Sequence, residues 1–167
     1  MRKIPQIALL VLICLFFLPL IPANAISEAQ TDYISKNCSS LRQSISSLRR
    51  SDASTRHYLS DVYTKVLINF MAPLNLRLVK NDIPNTDLTS SQASFASART
   101  TFNEDYVSYS KSLEELEYFD CAKNPSAFYE KLIVVRSRRS KLEKDVENLE
   151  SLIVSHKKSV EKLKESL

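Results

Sequence analysis

Cysteine and histidine are the residues of this chain best suited to metal or redox chemistry. The 167 residues contain three cysteines and two histidines, which are Cys14, Cys38, Cys121, His57 and His156. No two of them lie within one helical turn of each other, and the Glu-x-x-His spacing of di-iron bundles is absent. The spacing therefore predicts no metal site, and we expect no cofactor.

Other catalytic patterns are missing as well. The chain has many serines, but none stands in a Ser-His-acid pattern, and the absence of glycine excludes a glycine-rich phosphate loop. No pair of carboxylates can be assigned to a defined pocket. The sequence therefore predicts a protein that is not an enzyme.

Residues 1–25 have the order of an export signal. Two basic residues precede an apolar run from Ile7 to Leu18, and small residues follow at Ala23 and Ala25. Two prolines interrupt the apolar stretch before it reaches the roughly 20 residues that a spanning helix needs. We expect cleavage after Ala25 and an extracellular, cell-surface or periplasmic protein with no membrane span, while retention as an anchor stays open.

The remaining residues, 26–167, have a length suited to one domain. The signal carries two of the 23 basic residues and none of the 19 acidic ones, so cleavage lowers the formal charge from +4 to +2. A basic run from Arg136 to Lys141 is followed at once by acidic residues, as on a solvated helix face. This charge balance does not predict binding to nucleic acid. A chain without glycine also disfavours hairpin sheets and indicates helices.

Removal of the signal leaves Cys38 and Cys121 as the only cysteines. In an oxidising compartment such a pair is typical of a disulfide. The bridge would close a long loop, for which the chain-entropy model gives about 4 to 5 kcal/mol of stabilisation. Because the two cysteines are far apart in sequence, we expect a structural bridge and not a redox-active one.

The last helix, predicted over about 125–166, has the clearest pattern. Its apolar residues recur in alternating steps of four and three, which favours coiled-coil association. Ten of the twelve positions of this seam are apolar, and the seam comprises Phe128, Leu132, Val135, Arg139, Leu142, Val146, Leu149, Ile153, His156, Val160, Leu163 and Leu167.

Arg139 and His156 are the two polar residues of that seam. Polar seam residues often select the register or the partner of a coiled coil, so both are candidates for that role. Alternatively, their polar ends extend to solvent at an open groove. For Arg139 we favour the solvent-exposed interpretation, and for His156 both interpretations stay open. A buried His156 would make association depend on pH.

The same stepping predicts a first helix over about 28–72, started by a capping box at Ser27 and Gln30. The alternating steps of four and three continue through the polar residues 51–55, where the weaker apolar pattern would allow a kink. Pro73 favours a kink or a stop. If the helices are straight antiparallel rods, bringing Cys38 opposite Cys121 favours a break at Pro73.

A middle helix is predicted over about 89–118, with Thr89 and Gln92 as its capping box. Because the connections before and after this helix are short, we expect consecutive helices to pack antiparallel. We therefore predict an all-α fold, an elongated antiparallel three-helix array with coiled-coil character. A four-helix bundle is the alternative if the first helix breaks near Asp52.

Several segments resemble an uncharacterised group of exported helical proteins found among small-genome bacteria. These segments are Asn37-Cys38, the run from Pro73 to Asn81, Asp120-Cys121 and Phe128-Tyr129. The resemblance covers most of the chain after the signal and implies a bacterial envelope or extracellular setting. The group has no assigned activity, so the resemblance supplies no site residue.

These observations predict a non-enzymatic protein that mediates protein–protein interaction or builds envelope structure. Its partner would be another protein or a second copy of the chain, bound through the helical seams, because apolar seams of this length must be covered. The alternative is a periplasmic holdase-type chaperone, whose helical arms would enclose unfolded clients.

Overall fold

The computed structural model describes residues 26–166. This part of the chain forms three antiparallel helical arms and no β-strand, which confirms the predicted all-α fold. The predicted signal, residues 1–25, and Leu167 lie outside the described residues. Within residues 26–166, every helix is too short or too polar to cross a membrane.

The first arm consists of four consecutive helical elements. They are α1 (Glu28–Lys36), α2 (Cys38–Lys65), a π-helix (Val66–Met71) and α3 (Ala72–Lys80). The second arm is α4 (Thr86–Glu117), and the third arm is α5 (Pro125–Ser166).

The first arm begins with the predicted capping box. The Gln30 amide donates to Ser27 Oγ over 3.3 Å, and the Ser27 amide donates to Gln30 Oε1 over 3.0 Å. Asn37 separates α1 from α2, and its side-chain amide donates to the carbonyl of Tyr33 over 2.8 Å. The helix is continuous through residues 51–55, so the break near Asp52 that would have given a four-helix bundle does not occur.

The predicted stop at Pro73 is wrong, because the first arm stays helical to Lys80. The π-helix ends just before this proline, and the Ala72 amide donates to the carbonyl of Leu67, five residues back. A π-helical turn is wider than an α-helical one. We attribute the tolerance of Pro73 to this wider turn, which relieves the clash between the proline ring and the preceding turn.

The register expected from straight rods is wrong, because only one of the two cysteines lies in a helix. The second arm ends at Glu117, and Cys121 lies in the loop before α5. A loop residue does not follow the helical rise, so Cys121 can reach Cys38 without a break at Pro73.

The end of α3 is closed by a residue in the left-handed region. Asp82 has φ 54°, a conformation that aspartate tolerates better than most residues other than glycine. The Ile83 amide donates to the carbonyl of Leu78 over 3.0 Å, and the Asp82 amide donates to the carbonyl of Val79 over 3.2 Å. These two bonds form a Schellman motif, which turns the chain towards α4.

The second arm begins at Thr86, so the capping box predicted at Thr89 is wrong. Thr89 lies within the first turn, where its amide donates to the carbonyl of Asn85 over 2.9 Å. Asn85 is the N-cap and follows Pro84. Because a proline disfavours helix in the residue before it but not in those after it, helix can begin directly beyond Asn85.

The core lies along one face of α4 and one face of α5. Buried residues recur every seven positions on both helices, as expected for helices that pack side by side. They are Leu88, Phe95, Phe102, Tyr109 and Leu116 on α4, and Phe128, Val135, Leu142, Leu149 and His156 on α5. Tyr63 of α2 packs edge-on against Phe95 and Phe102, with ring centroids 6.0 and 5.8 Å apart.

The buried face of the first arm changes after α2. The seam predicted from the sequence continues through Asn69 and Leu76, but both of these side chains are exposed. Met71, Asn75 and Leu78 are buried instead. The π-helix explains the change, because its wider turn rotates every later residue around the helix axis.

Candidate functional site

A groove runs between α2 and α5 with α4 as its floor. It has a volume of about 330 Å³ and a mostly apolar lining. We call it the central groove. It is lined by Asp52, Thr55, Arg56 and Leu59 of α2, by Phe102, Tyr106 and Tyr109 of α4, and by Arg139, Leu142, Glu143 and Val146 of α5.

A hydrogen-bonded carboxylate connects the three arms at this groove. The hydroxyl of Tyr109 donates to Asp52 Oδ2 over 2.6 Å, and Arg139 Nη2 donates to Asp52 Oδ1 over 3.4 Å. Burial and the bond to Asp52 raise the pKa of Tyr109 well above its ordinary value. Tyr109 therefore keeps its proton at neutral pH and acts as a donor to Asp52.

Arg56 is the other notable cation of the central groove. Its guanidinium lies over the ring of Tyr106, 5.3 Å from the centroid, and Nη2 donates to Asn103 Oδ1 over 3.1 Å. Its Nε atom is buried and has no hydrogen-bond partner. Within the described part of the chain, no carboxylate forms an ion pair with Arg56.

The structure places the two seam candidates, Arg139 and His156, in different surroundings. Arg139 has a side chain 48% exposed and borders the central groove, where it pairs with Asp52. His156 is 8% exposed, with Nδ1 3.2 Å from Ser91 Oγ. Burial lowers the pKa of His156. The role of either residue in selecting a register or a partner stays a prediction.

Cys38 and Cys121 lie together at disulfide-bonding distance, as predicted, with their α-carbons 5.4 Å apart. The bridge joins the beginning of α2 to the loop before α5. Beside it, Ser35 Oγ donates to the carbonyl of Ala122 over 2.9 Å. Arg42 Nε donates to the carbonyl of Glu117 over 2.7 Å. These contacts fasten the first arm to the end of the second.

A pair of carboxyl groups lies between α4 and α5. Lys141 Nζ is 2.6 Å from Asp105 Oδ1, and the Oδ2 atoms of Asp105 and Asp145 are both buried. Burial, followed by the neighbouring Asp105, raises the pKa of Asp145. Among residues 26–166, no group of three or more His, Cys, Asp or Glu side chains could hold a metal ion.

A second surface, the apolar stripe, lies on the outside of the first arm. It consists of Ile68, Leu76 and Val79, which are 58%, 56% and 61% exposed. Ala72 lies between them, and the spacing of four, four and three residues places all of them on one side of the arm. Their exposure contrasts with the burial of Met71 and Leu78 on the adjoining face.

The central groove is only weakly indicated by the amino-acid sequence. Asp52 and Thr55 stood out only as polar residues within an apolar seam, and nothing linked them to Tyr109. A polar interruption of a seam is a signal that can mark such a site. Its partner on another helix depends on the register of the arms, which one sequence does not provide.

No protein-family model matches the chain, and neither a curated protein nor a solved structure matches it.

Proposed function

We propose that this protein is an exported, non-enzymatic helical protein that binds another protein through the apolar stripe. The observation that carries the proposal is the exposure of Ile68, Leu76 and Val79 along one side of a single helical arm. Contiguous exposed apolar surface of this kind is typical of interaction sites. A linear stripe on a helix suits a helical partner, whose own apolar face would pack against it.

The clustering of exposed apolar residues supports this surface over the rest of the molecule. Eleven large hydrophobic side chains of the described region are exposed, and three of them form the stripe. A fourth, Phe70, is exposed on the same arm two residues after Ile68. The others are spread over the remaining helices and the loop before α5, singly or as a neighbouring pair, as is common on protein surfaces.

Basic residues beside the apolar stripe indicate which kind of partner it suits. Arg77 and Lys80 each directly follow a residue of the stripe, so both lie along one of its flanks. Neither forms an ion pair with another described residue. A partner helix with acidic residues beside its apolar face would complement this flank.

Two features support export. The cysteine pair at bonding distance suits an oxidising compartment. Residues 1–25, with their basic start, apolar run and small residues before the expected cleavage position, carry the pattern of a signal peptide.

Site-specific photo-crosslinking in the cells that produce the protein tests the proposal. A photoreactive residue in place of Leu76 should yield one or a few defined crosslinked proteins. The matched control is the same residue in place of Val107, which is 63% exposed on α4 and lies outside the stripe. We expect no defined product from position 107.

Two other crosslinking outcomes would contradict the proposal. If both positions crosslink to the same broad set of proteins, the stripe is not a specific binding surface, and the holdase-type alternative is favoured. Suppression of the aggregation of an unfolded client by the purified protein would then support that alternative. If position 76 yields no product at all, the proposal is wrong.

A further inference from the structure

We propose that the central groove binds an amphiphilic anion, namely a single alkyl chain that ends in a carboxylate. This site is separate from the apolar stripe, because the groove lies between α2 and α5 in the middle of the molecule. The proposal therefore goes beyond protein–protein interaction.

The lining of the groove suits an alkyl chain. Leu59, Phe102, Leu142 and Val146 present apolar side chains from all three arms. The volume of about 330 Å³ lies at the lower end of the range of small-molecule sites, roughly 300 to 1,000 Å³. A single alkyl chain can therefore fill the groove and remove its apolar lining from water.

Arg56 supplies the charge that a carboxylate headgroup needs. Its side chain lines the groove, and no carboxylate of the described residues forms an ion pair with it. A ligand carboxylate in the groove would pair with this positive charge, and guanidinium–carboxylate hydrogen bonds are among the stronger ones in proteins.

The carboxylates of the groove do not already neutralise Arg56. Asp52 accepts hydrogen bonds from Tyr109 and Arg139, so its charge is compensated by other groups. Glu143 is the remaining carboxylate of the lining, and it is exposed on α5, where water and salt screen its charge. The positive charge of Arg56 is thus available to an anion.

Calorimetric titration of the purified protein with dodecanoate, below its micelle-forming concentration, tests the proposal. We expect one dodecanoate per chain. Dodecyltrimethylammonium has the same alkyl chain and the opposite charge, and it should bind at least about tenfold more weakly. Equal affinity for the two ligands would overturn the proposal, because the groove would then bind alkyl chains without regard to charge.

Two variants and a matched control locate the site. R56Q should weaken dodecanoate binding about tenfold, and R56K should restore part of the affinity because it restores the charge. R50Q is the control, since Arg50 is an exposed arginine of the same helix that does not line the groove. It should leave the affinity unchanged.

A further substitution keeps the test decisive if R56Q does not fold. V146F leaves Arg56 unchanged and fills the groove from α5, so it should abolish binding. Unchanged binding by V146F, no binding of dodecanoate by the wild type, or an equal loss in R50Q and R56Q would each overturn the proposal.

Discussion

Replacing Cys38 and Cys121 together by alanine opens a loop that spans 83 residues. In the chain-entropy model, a bridge across a loop of this length lowers the entropy of the unfolded chain enough to stabilise the fold by about 4.5 kcal/mol at 25 °C. The alanine variant loses this constraint and should unfold more easily.

The burial of the two cysteines adds to the expected effect. Cys121 is fully buried, and Cys38 is nearly so, so each alanine also removes a packed sulfur atom. Such a loss costs roughly as much as a buried methylene, about 0.8 kcal/mol. Residual compactness of the denatured chain acts in the opposite direction. We therefore expect the free energy of unfolding to fall by about 3 to 5 kcal/mol.

Urea unfolding followed by far-ultraviolet circular dichroism measures this change. The m-value should rise in the variant, because an unfolded chain without the bridge exposes more surface. The matched control is the wild-type protein reduced with dithiothreitol. It keeps both cysteine side chains, so it separates the loop constraint from the loss of the packed sulfur atoms.

A small loss of stability would contradict this prediction. If the reduced protein and the double variant each lost less than about 1 kcal/mol, with an unchanged m-value, the bridge would not restrict the unfolded chain. The structural role assigned to Cys38 and Cys121 would then be wrong.

Three further predictions concern polar groups between the arms. Y109F should lower the free energy of unfolding by about 1.5 to 3 kcal/mol in the same urea assay, because it removes the donor to the Asp52 carboxylate; an unchanged value would contradict the role given to this bond. His156 has a lowered pKa in the folded state, so stability should fall as the pH drops below about 6.5, and H156Q should lack this decrease in a pH series. Asp145 has a raised pKa, so its contribution to stability is lost as the pH rises above the ordinary carboxyl range; D145N should flatten that slope and be at least as stable as wild type at pH 7.

Helical periodicity accounts for much of what the sequence predicted correctly. The residues of the predicted seam that recur every seven positions on α5, from Phe128 to His156, are all buried. Such a period identifies the side of a helix that packs against its neighbours, because that side needs an apolar residue in every turn. The proximity of Cys38 and Cys121 was likewise predicted, from the number of cysteines and the expected oxidising compartment.

Periodicity of apolar residues does not predict local changes in helix type, such as the π-helix before Pro73. Pro73 is a strong signal for a helix end, and the sequence contains no comparable signal for the π-helix that accommodates it. The consequence is large, because the rotation after Met71 exposes Leu76, which the seam pattern assigned to the buried face. The apolar stripe therefore emerges only from the three-dimensional structure.

The contacts of the central groove were also beyond prediction. Tyr109 and Asp52 are far apart in sequence and lie on antiparallel helices. Their meeting depends on the register of the first two arms. The straight-rod estimate of that register was wrong, because it ignored both the π-helix and the loop position of Cys121.

Whether a partner covers the apolar stripe can be measured by the reactivity of a cysteine in place of Leu76 towards a maleimide. L76C should react readily in the purified protein, where the position is exposed, and should be protected in the cells that produce it. V107C is the matched control, and it should react in both settings. Equal reactivity of L76C in the purified protein and in the cells would contradict the proposal that a partner covers the stripe.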